Sequence, residues 1–251
     1  MKRTTIMLIL SFKILTVLAF DIEIDDKYYN IIGEDRVELT FKDTLYNSYE
    51  KDVIIPSSVS YNGNEYKVVK IGEFSFALSK NLYSVEIPES VTAIGNSAFF
   101  NCENLTSIIL PDSVEIISKY AFALCKNISA ISIPSKVKNI DEATFLACEN
   151  LESVELPEEL NNIGSIAFLN CHKLKSITLP RKLDNLGACA IFTNCKNLES
   201  IKVLSERPPI INPMLIEDIN LKRCKLLVPV GTKKFYEEVD TWKNFGSIEE
   251  F

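Results

Sequence analysis

LESVELPEELNNIGSIAFLNCHK, residues 151–173, is one of five consecutive stretches that follow a single pattern. The other four begin at Leu82, Leu105, Ile128 and Leu174, and the last of them is one residue longer. Their prolines recur every 23 residues, at positions 88, 111, 134, 157 and 180. A fixed period of this length indicates a repeat protein in which each unit, here called a rung, stacks on the next.

The pattern shared by the rungs is L-x-x-I-x-I-P-x-x-V-x-x-I-G-x-x-A-F-x-x-C-x-N. Apolar residues at rung positions 1, 4 and 6 are typical of a strand that buries one face, and the proline at position 7 ends that strand. Positions 10 and 13 line the opposite wall, and the Ala-Phe pair at positions 17 and 18 fills the middle. The sequence therefore predicts a β-rich solenoid of 23-residue rungs with a parallel sheet on one face.

A longer rung, residues 50–81, precedes these five and contains nine additional residues. Within the insertion, Asn62-Gly63 stands between strand-forming residues, which is a strong signal of a two-residue hairpin turn. We therefore expect a β-hairpin that projects from the side of the solenoid and carries Tyr61 and Tyr66.

Both ends of such a stack need caps, because an uncovered edge or core rung promotes aggregation. At the N-terminal end, residues 28–32 and 36–41 have the pattern of a capping hairpin. The predicted organisation has four parts, namely a signal peptide over 1–19, an N-terminal β cap over 20–49, the solenoid over 50–204, and a divergent last rung with a C-terminal cap over 205–251.

The C-terminal cap is predicted to combine two strands with one short helix. Strands are expected from residue 198 and over residues 225–230. Thr232 is placed to N-cap a helix that seals the last rung. The three apolar residues expected on one face of that helix are Phe235, Val239 and Trp242.

The first 19 residues have the features of a secretory signal peptide. Lys2 and Arg3 form a basic start, residues 6–18 are mostly apolar, and the small residue Ala19 marks the expected cleavage site. The alternative is an uncleaved membrane anchor, but Lys13 interrupts the run, which is shorter than the roughly 20 apolar residues of a spanning helix. We expect a secreted or cell-surface protein with no membrane span in its mature chain.

The charge balance argues against a nucleic-acid partner. Without Lys2, Arg3 and Lys13, the chain keeps 24 basic residues against 34 acidic ones, a net charge of −10. Nucleic-acid binding needs a basic stripe that neutralises phosphates, and the sequence contains none.

The rung pattern IP-x-x-V-x-x-I-G-x-x-A-F-x-x-C resembles the BspA-like, or Treponema pallidum type, class of leucine-rich repeats. The resemblance covers residues 20–251, and the closing stretch VPVGTKKFYEEVDTWKNF is similar to secreted members from gut and oral Bacteroidetes. The chain departs from the pattern where Ser118 and Asp141 replace the rung glycine and where residues 205–223 keep no clear rung. The resemblance implies a leucine-rich repeat solenoid that acts in adhesion to host matrix proteins or to other cells, and it names no ligand.

The cysteines form a column that invites a metal or disulfide interpretation. Stacked rungs bring its thiols to about the 4.8 Å strand spacing, but parallel Cβ vectors suit a disulfide poorly. We interpret them as reduced, buried packing residues, and we predict no metal and no cofactor. The column consists of Cys102, Cys125, Cys148, Cys171 and Cys195.

The sequence contains no arrangement typical of nucleophilic catalysis. His172 is the only histidine, no catalytic serine or cysteine motif accompanies it, and we expect its side chain to be solvated. Glu86 and Glu155 share a rung position but lie three rungs apart, about 14 Å, which exceeds the carboxylate separation of glycosidases. We therefore predict that the protein is not an enzyme.

The candidate binding residues fall into two groups. Rung positions 3 and 5 point outward from the predicted sheet, and the small residues at position 3 leave an accessible face. The position 5 candidates are Glu86, Ile109, Ser132, Glu155 and Thr178. The second group supplies aromatic anchors in and beside the hairpin, and its members are Tyr61, Asn62, Tyr66 and Tyr83.

These observations predict a monomeric, secreted or cell-surface binding module for a protein or glycan ligand. Adhesion to extracellular-matrix or other cell-surface proteins is the first interpretation. Two alternatives stay open, namely a structural envelope protein whose solenoids stack on one another and an enzyme that acts on glycans through exposed carboxylates.

Overall fold

A computed structural model describes residues 20–43, 46–183, 185–186, 189–210 and 219–251, so the predicted signal peptide lies outside the described residues. This part of the chain forms a β-solenoid with 19 strands and one short helix. In chain order, the elements are β1 (Ile22–Ile24), β2 (Lys27–Ile31), β3 (Arg36–Thr40), β4 (Lys51–Ile54), β5 (Ser58–Tyr61), β6 (Asn64–Ile71), β7 (Leu82–Glu86), β8 (Ala93–Ile94), β9 (Ser107–Ile109), β10 (Ile116–Ile117), β11 (Ala130–Ser132), β12 (Asn139–Ile140), β13 (Ser153–Glu155), β14 (Asn162–Ile163), β15 (Ser176–Leu179), β16 (Asn185–Leu186), β17 (Ser200–Val203), β18 (Lys225–Val228), α1 (Lys233–Glu237) and β19 (Ser247–Glu250).

The N-terminal cap is a three-stranded antiparallel meander. Strands β2 and β3 form the predicted hairpin, and β1 adds a strand that the sequence did not predict. Strand β3 then pairs in parallel with β6, so the cap continues directly into the solenoid. Tyr49 stabilises this junction, because its hydroxyl donates a hydrogen bond of 2.6 Å to the backbone oxygen of Thr40.

The predicted parallel sheet is confirmed, and we call it the front wall. It consists of three parallel sheets that follow one another along the solenoid, β4-β7-β9, β11-β13 and β15-β17-β18-β19, and strands β9 and β11 and strands β13 and β15 are in contact where these sheets meet. Registers between rungs equal the repeat, so Ser84 lies opposite Ser107 and Glu86 lies opposite Ile109. Residues at the same rung position therefore form columns that run along the solenoid.

A second set of parallel strands, the back wall, lies at rung positions 12 and 13. It contains β6, β8, β10, β12, β14 and β16. The sequence predicted apolar residues on this wall but no strands, because two residues are too few to display an alternating pattern. The hairpin of β5 and β6 extends this wall, and its turn at Asn62-Gly63 has positive φ at both residues, as predicted for this dipeptide.

A column of stacked phenylalanine rings fills the interior between the walls. Adjacent rings lie 4.9–5.8 Å apart between centroids and are within 10° of parallel. The members are Phe76, Phe99, Phe122, Phe145, Phe168 and Phe192, and all are fully buried. This arrangement confirms that the phenylalanine at position 18 of each rung points inward, and the residue before it, which is alanine in three of the six rungs, is buried as well.

The cysteine column lies beside the phenylalanine rings. Each thiol donates to the backbone oxygen of the phenylalanine in the preceding rung, at 2.9–3.2 Å. All seven cysteines of the chain are free thiols, and the five column members are buried. These cysteines therefore act as packing residues and also satisfy a buried carbonyl in each rung.

The C-terminal end differs from the prediction in two respects. Helix α1 exists but ends at Glu237, so Val239 and Trp242 follow it, and Phe235 is 52% exposed while Tyr236 is the buried residue. Thr232 donates from Oγ1 to the backbone oxygen of Pro229 and makes no side-chain cap bond. A helix of five residues is too short for the predicted i, i+4, i+7 face, and β19 forms the last strand of the front wall instead.

Candidate functional site

A groove of about 790 Å³ lies on the front wall where β9, β11 and β13 are neighbours. We call it the central groove. Its lining comprises Ile108, Ile109, Leu110, Asp112, Ala130, Ile131, Ser132, Ile133, Pro134, Ser135, Ser153, Glu155, Leu156, Pro157, Glu158 and Glu159. The strands contribute small side chains at rung position 3, and the turns after the strands contribute prolines and carboxylates.

Ile109 is the largest apolar side chain that the central groove presents to solvent. Strand β9 alternates so that Ile108 faces the core and Ile109 faces outward, where it is 79% exposed. The neighbouring small residues Ala130 and Ser132 do not cover it. An isolated aliphatic group on a floor of small residues provides an apolar contact point with space around it.

The position 5 residues predicted from the sequence lie on successive strands of the front wall, where Glu86 pairs with Ile109 and Ser132 pairs with Glu155. Ile109, Ser132 and Glu155 line the central groove, and Glu86 lies opposite Ile109 on the adjacent strand β7. Thr178 is exposed on β15. The structure therefore brings all five position 5 candidates together on the front wall.

The hairpin residues are placed differently. Tyr61 and Tyr66 belong to β5 and β6, on the back wall, and both rings are half-buried against the core. Asn62 is exposed in the turn, and Tyr83 is 47% exposed at the start of β7. The aromatic anchors predicted for the hairpin thus offer less free surface than the sequence indicated and do not join the central groove.

The groove carboxylates at the turns were missed by the sequence interpretation. Asp112 and Glu158 occupy rung position 8, directly after the consensus proline, and both are exposed. Only strand positions 3 and 5 were predicted to point outward from the sheet. The proline that ends each strand was the available signal, because the chain turns there and brings position 8 to the rim.

Shifted pKa values occur at the carboxyl groups of Asp141 and Glu152. Burial raises the pKa of Asp141, while a hydrogen bond from Lys175 lowers the pKa of Glu152. Within the described ranges, no group of three His, Cys, Asp or Glu side chains is arranged to hold a metal ion.

The thiols are poor nucleophiles in their present environment. Burial raises the pKa of Cys148 well above its usual range and raises that of Cys195 to about 12. These raised pKa values keep the two thiols protonated at neutral pH, and the thiolate is the reactive form.

His172 was expected to be solvated, but its side chain is half-buried. Its Nε2 lies 3.1 Å from Nδ2 of Asn194.

No helix within the described part of the chain is long and apolar enough to cross a membrane.

Several solved structures share the fold, including the two that follow. A leucine rich cell surface protein from Faecalibacterium prausnitzii is 20% identical over 92% of this chain and 72% of its own, with a TM-score of 0.57. The leucine rich repeat protein of T. pallidum is 28% identical over 71% of this chain and 90% of its own, with a TM-score of 0.58.

Sequence comparison agrees with these structural likenesses. No curated protein matches the chain. Six copies of the BspA type Leucine rich repeat region match residues 69–199, which is slightly more than half of the 251 residues. The matched region contains the front-wall strands β7 to β15 and the whole central groove. The chain belongs to the BspA-type leucine-rich repeat family.

Proposed function

We propose that this protein is a secreted or cell-surface binding module that holds a protein partner in the central groove, and that it acts in adhesion to extracellular-matrix or other cell-surface proteins. The observation that carries the proposal is the 79% exposure of Ile109 on β9, at one side of a groove with small neighbours. Fully burying an isoleucine side chain contributes roughly 1.5–3 kcal/mol, which is enough to make it a main anchor of an interface.

Family membership supports the general part of this proposal. Leucine-rich repeat surface proteins are typically protein-interaction modules without enzymatic activity, and one structural relative is a cell surface protein. The signal peptide over residues 1–19 remains a prediction from the sequence. Binding by a single chain is also part of the proposal, because a groove on one front wall needs no second copy.

The test is binding of the chain from residue 20 to immobilised extracellular-matrix proteins, mucins and glycans, with two matched variants. Ile109→Asp places a charge in the central groove. Ile116→Asp makes the same change in the same rung, but Ile116 is 56% exposed on the back-wall strand β10. We expect a saturable protein ligand whose affinity falls at least roughly tenfold in Ile109→Asp and stays unchanged in Ile116→Asp.

Thermal unfolding of both variants provides the control, because exposed positions should tolerate the change without loss of fold. Equal affinities for the wild type and the Ile109→Asp variant would place the binding surface elsewhere. A Tyr61→Ala/Tyr66→Ala variant then tests the hairpin directly. Absence of any saturable ligand would contradict the adhesive role itself.

A further inference from the structure

We infer that the partner of the central groove is a basic protein segment, with lysine or arginine side chains on both sides of an apolar residue that packs on Ile109. The inference rests on the proposed function and adds the chemistry of the ligand. It follows from how carboxylates are distributed around Ile109 and from how lysines are used in the rest of the solenoid.

Exposed carboxylates lie on both sides of Ile109. Glu86 lies opposite it on β7, and Glu155 lies two rungs farther along the same column. Asp112 and Glu158 add two carboxylates at the groove's turns. None of these four side chains has an ion pair or a side-chain hydrogen bond within the described part of the chain.

Carboxylates elsewhere on the solenoid are used differently. Five ion pairs join lysines and glutamates of adjacent rungs, with N–O distances of 2.6–3.6 Å. The pairs are Lys119–Glu142, Lys126–Glu103, Lys136–Glu115, Lys175–Glu152 and Lys182–Glu159. Only Glu159 among these residues lines the central groove. The lining of the central groove contains four carboxylates and no lysine or arginine, so the surface beside Ile109 is negative.

This charge distribution favours a cationic occupant over other peptides. A partner with lysine or arginine gains attraction from several unpaired carboxylates, and an acidic partner meets like charge at the same positions. Contact with Ile109 excludes water and strengthens those interactions by lowering the local dielectric. Apolar contact supplies affinity, and the carboxylates determine which partners are accepted.

The column geometry also sets a spacing for the basic residues. Glu86 and Glu155 are three strands apart, which is about 14 Å at the usual strand spacing. An extended segment that crosses the strands advances about 3.3 Å per residue, so about four residues cover that distance. We expect basic residues at positions i and i+4, with an aliphatic residue between them.

The experiment is a selection of random 12-residue peptides displayed on phage against the immobilised chain. Clones that also bind the Ile109→Asp variant are removed. We expect the remaining clones to contain several-fold more lysine and arginine than the starting library, at the predicted spacing around an aliphatic residue. Enrichment of neutral or acidic peptides, or no enrichment at all, would overturn the inference.

A pair of charge variants then tests the carboxylates themselves. Binding of the enriched clones to Glu86→Gln/Glu155→Gln should weaken roughly tenfold, and the loss should diminish at high salt. Glu23→Gln/Glu34→Gln removes the same charge from two exposed carboxylates of the N-terminal cap that, like Glu86 and Glu155, have no ion pair within the described residues, and it should have no effect. Equal effects of the two variants would reduce the role of the carboxylates to net charge and would contradict a specific basic site.

Failure of this inference differs from failure of the proposed function. If a matrix protein binds and the Ile109→Asp change abolishes that binding, the groove is a binding site whatever the peptide selection yields. If the selection then yields peptides without excess basic residues, only the proposed ligand chemistry is wrong.

Discussion

Two columns of side chains run along the solenoid from rung to rung, one in the interior and one on the front wall. The interior column is phenylalanine in six rungs, from Phe76 to Phe192, and its rings stack within 10° of parallel. The front-wall column at rung position 5 changes at every step. In chain order its members from β7 to β15 are Glu86, Ile109, Ser132, Glu155 and Thr178.

The difference follows from what each column contacts. An interior ring packs against the same residue above and below it, so a change at one rung leaves a gap for two neighbours. A front-wall side chain projects into solvent, so packing places little restriction on its size or charge. The interior column therefore maintains the stack, and the front-wall column can differ between rungs and determine what binds.

The largest expected effect is a break in the interior column. Phe122 is fully buried between Phe99 and Phe145, at centroid distances of 5.2 and 5.6 Å. Phe122→Ala should lower the free energy of unfolding by about 3–5 kcal/mol through lost burial and a residual cavity. Urea unfolding followed by circular dichroism measures this change.

Ile109→Ala provides the comparison, because it truncates an exposed side chain in the same rung. We expect its free energy of unfolding to stay within about 0.5 kcal/mol of the wild type. Similar losses in the two variants would mean that the front wall contributes to stability as much as the interior does, and the proposed division between the columns would be wrong.

Much of this division could be predicted from the sequence, because the repeat alone identifies equivalent positions. The period of 23 residues, the prolines and the inward Ala-Phe pair predicted the solenoid, the parallel sheet and the buried column. The position 5 residues were predicted to share the outward face of the sheet, and the register places Glu86 opposite Ile109 and Ser132 opposite Glu155, while their role in binding stays a prediction. Periodic patterns predict this fold well because each rung must bury the same apolar positions against its two neighbours.

Features that depend on few residues or on contacts between rungs were not predictable. The back-wall strands after β6 contain only two residues each. The exposure of Phe235 depends on where the five-residue helix α1 ends. The groove at β9 to β13 depends on how Asp112 and Glu158 project from turns next to a particular isoleucine. A pattern averaged over rungs contains no information about these individual neighbours.

A smaller effect is expected where backbones of adjacent rungs approach each other on the back wall. A Cβ added at Gly164 would lie 2.6 Å from the backbone nitrogen of Glu142 and 2.7 Å from the carbonyl carbon of Asp141. Gly164→Ala should therefore shift the neighbouring rung and lower the free energy of unfolding by about 1–3 kcal/mol. Ser118→Ala is the matched control at the same rung position, where a Cβ is already accommodated, and it should be nearly neutral.

Urea unfolding of both variants tests whether substitutions on the back wall reduce stability as substitutions in the interior do. Loss of stability in Gly164→Ala alone would show that close backbone contact, and not rung position, determines the cost. A neutral Gly164→Ala variant would mean that adjacent rungs separate easily there, and the back wall would then resemble the front wall.

The smallest effect concerns the pH dependence of the cysteine column. Burial raises the pKa of the Cys148 thiol well above its usual range. In the unfolded chain this thiol ionises near its ordinary pKa of about 8.5, so above that pH the unfolded state binds fewer protons than the folded state. The free energy of unfolding therefore falls as pH rises from about 8.5 towards the folded pKa, by up to about 1.4 kcal/mol per pH unit for this thiol.

Cys148→Ala removes this contribution and keeps the other buried thiols and tyrosines, while Cys171 loses the smaller part of its raised pKa that the charge of Cys148 adds to burial. We expect urea unfolding at pH values from 7 to 10 to show that the free energy of unfolding falls less steeply with pH in the variant. The difference in slope should correspond to one fewer proton released on unfolding. At pH 7 the variant should be less stable, since it loses a packed side chain and the bond from Sγ to the backbone oxygen of Phe122. Identical slopes would mean that solvent reaches Cys148, and the interior beside the phenylalanine column would then be open to water, which would contradict the distinction from the front wall.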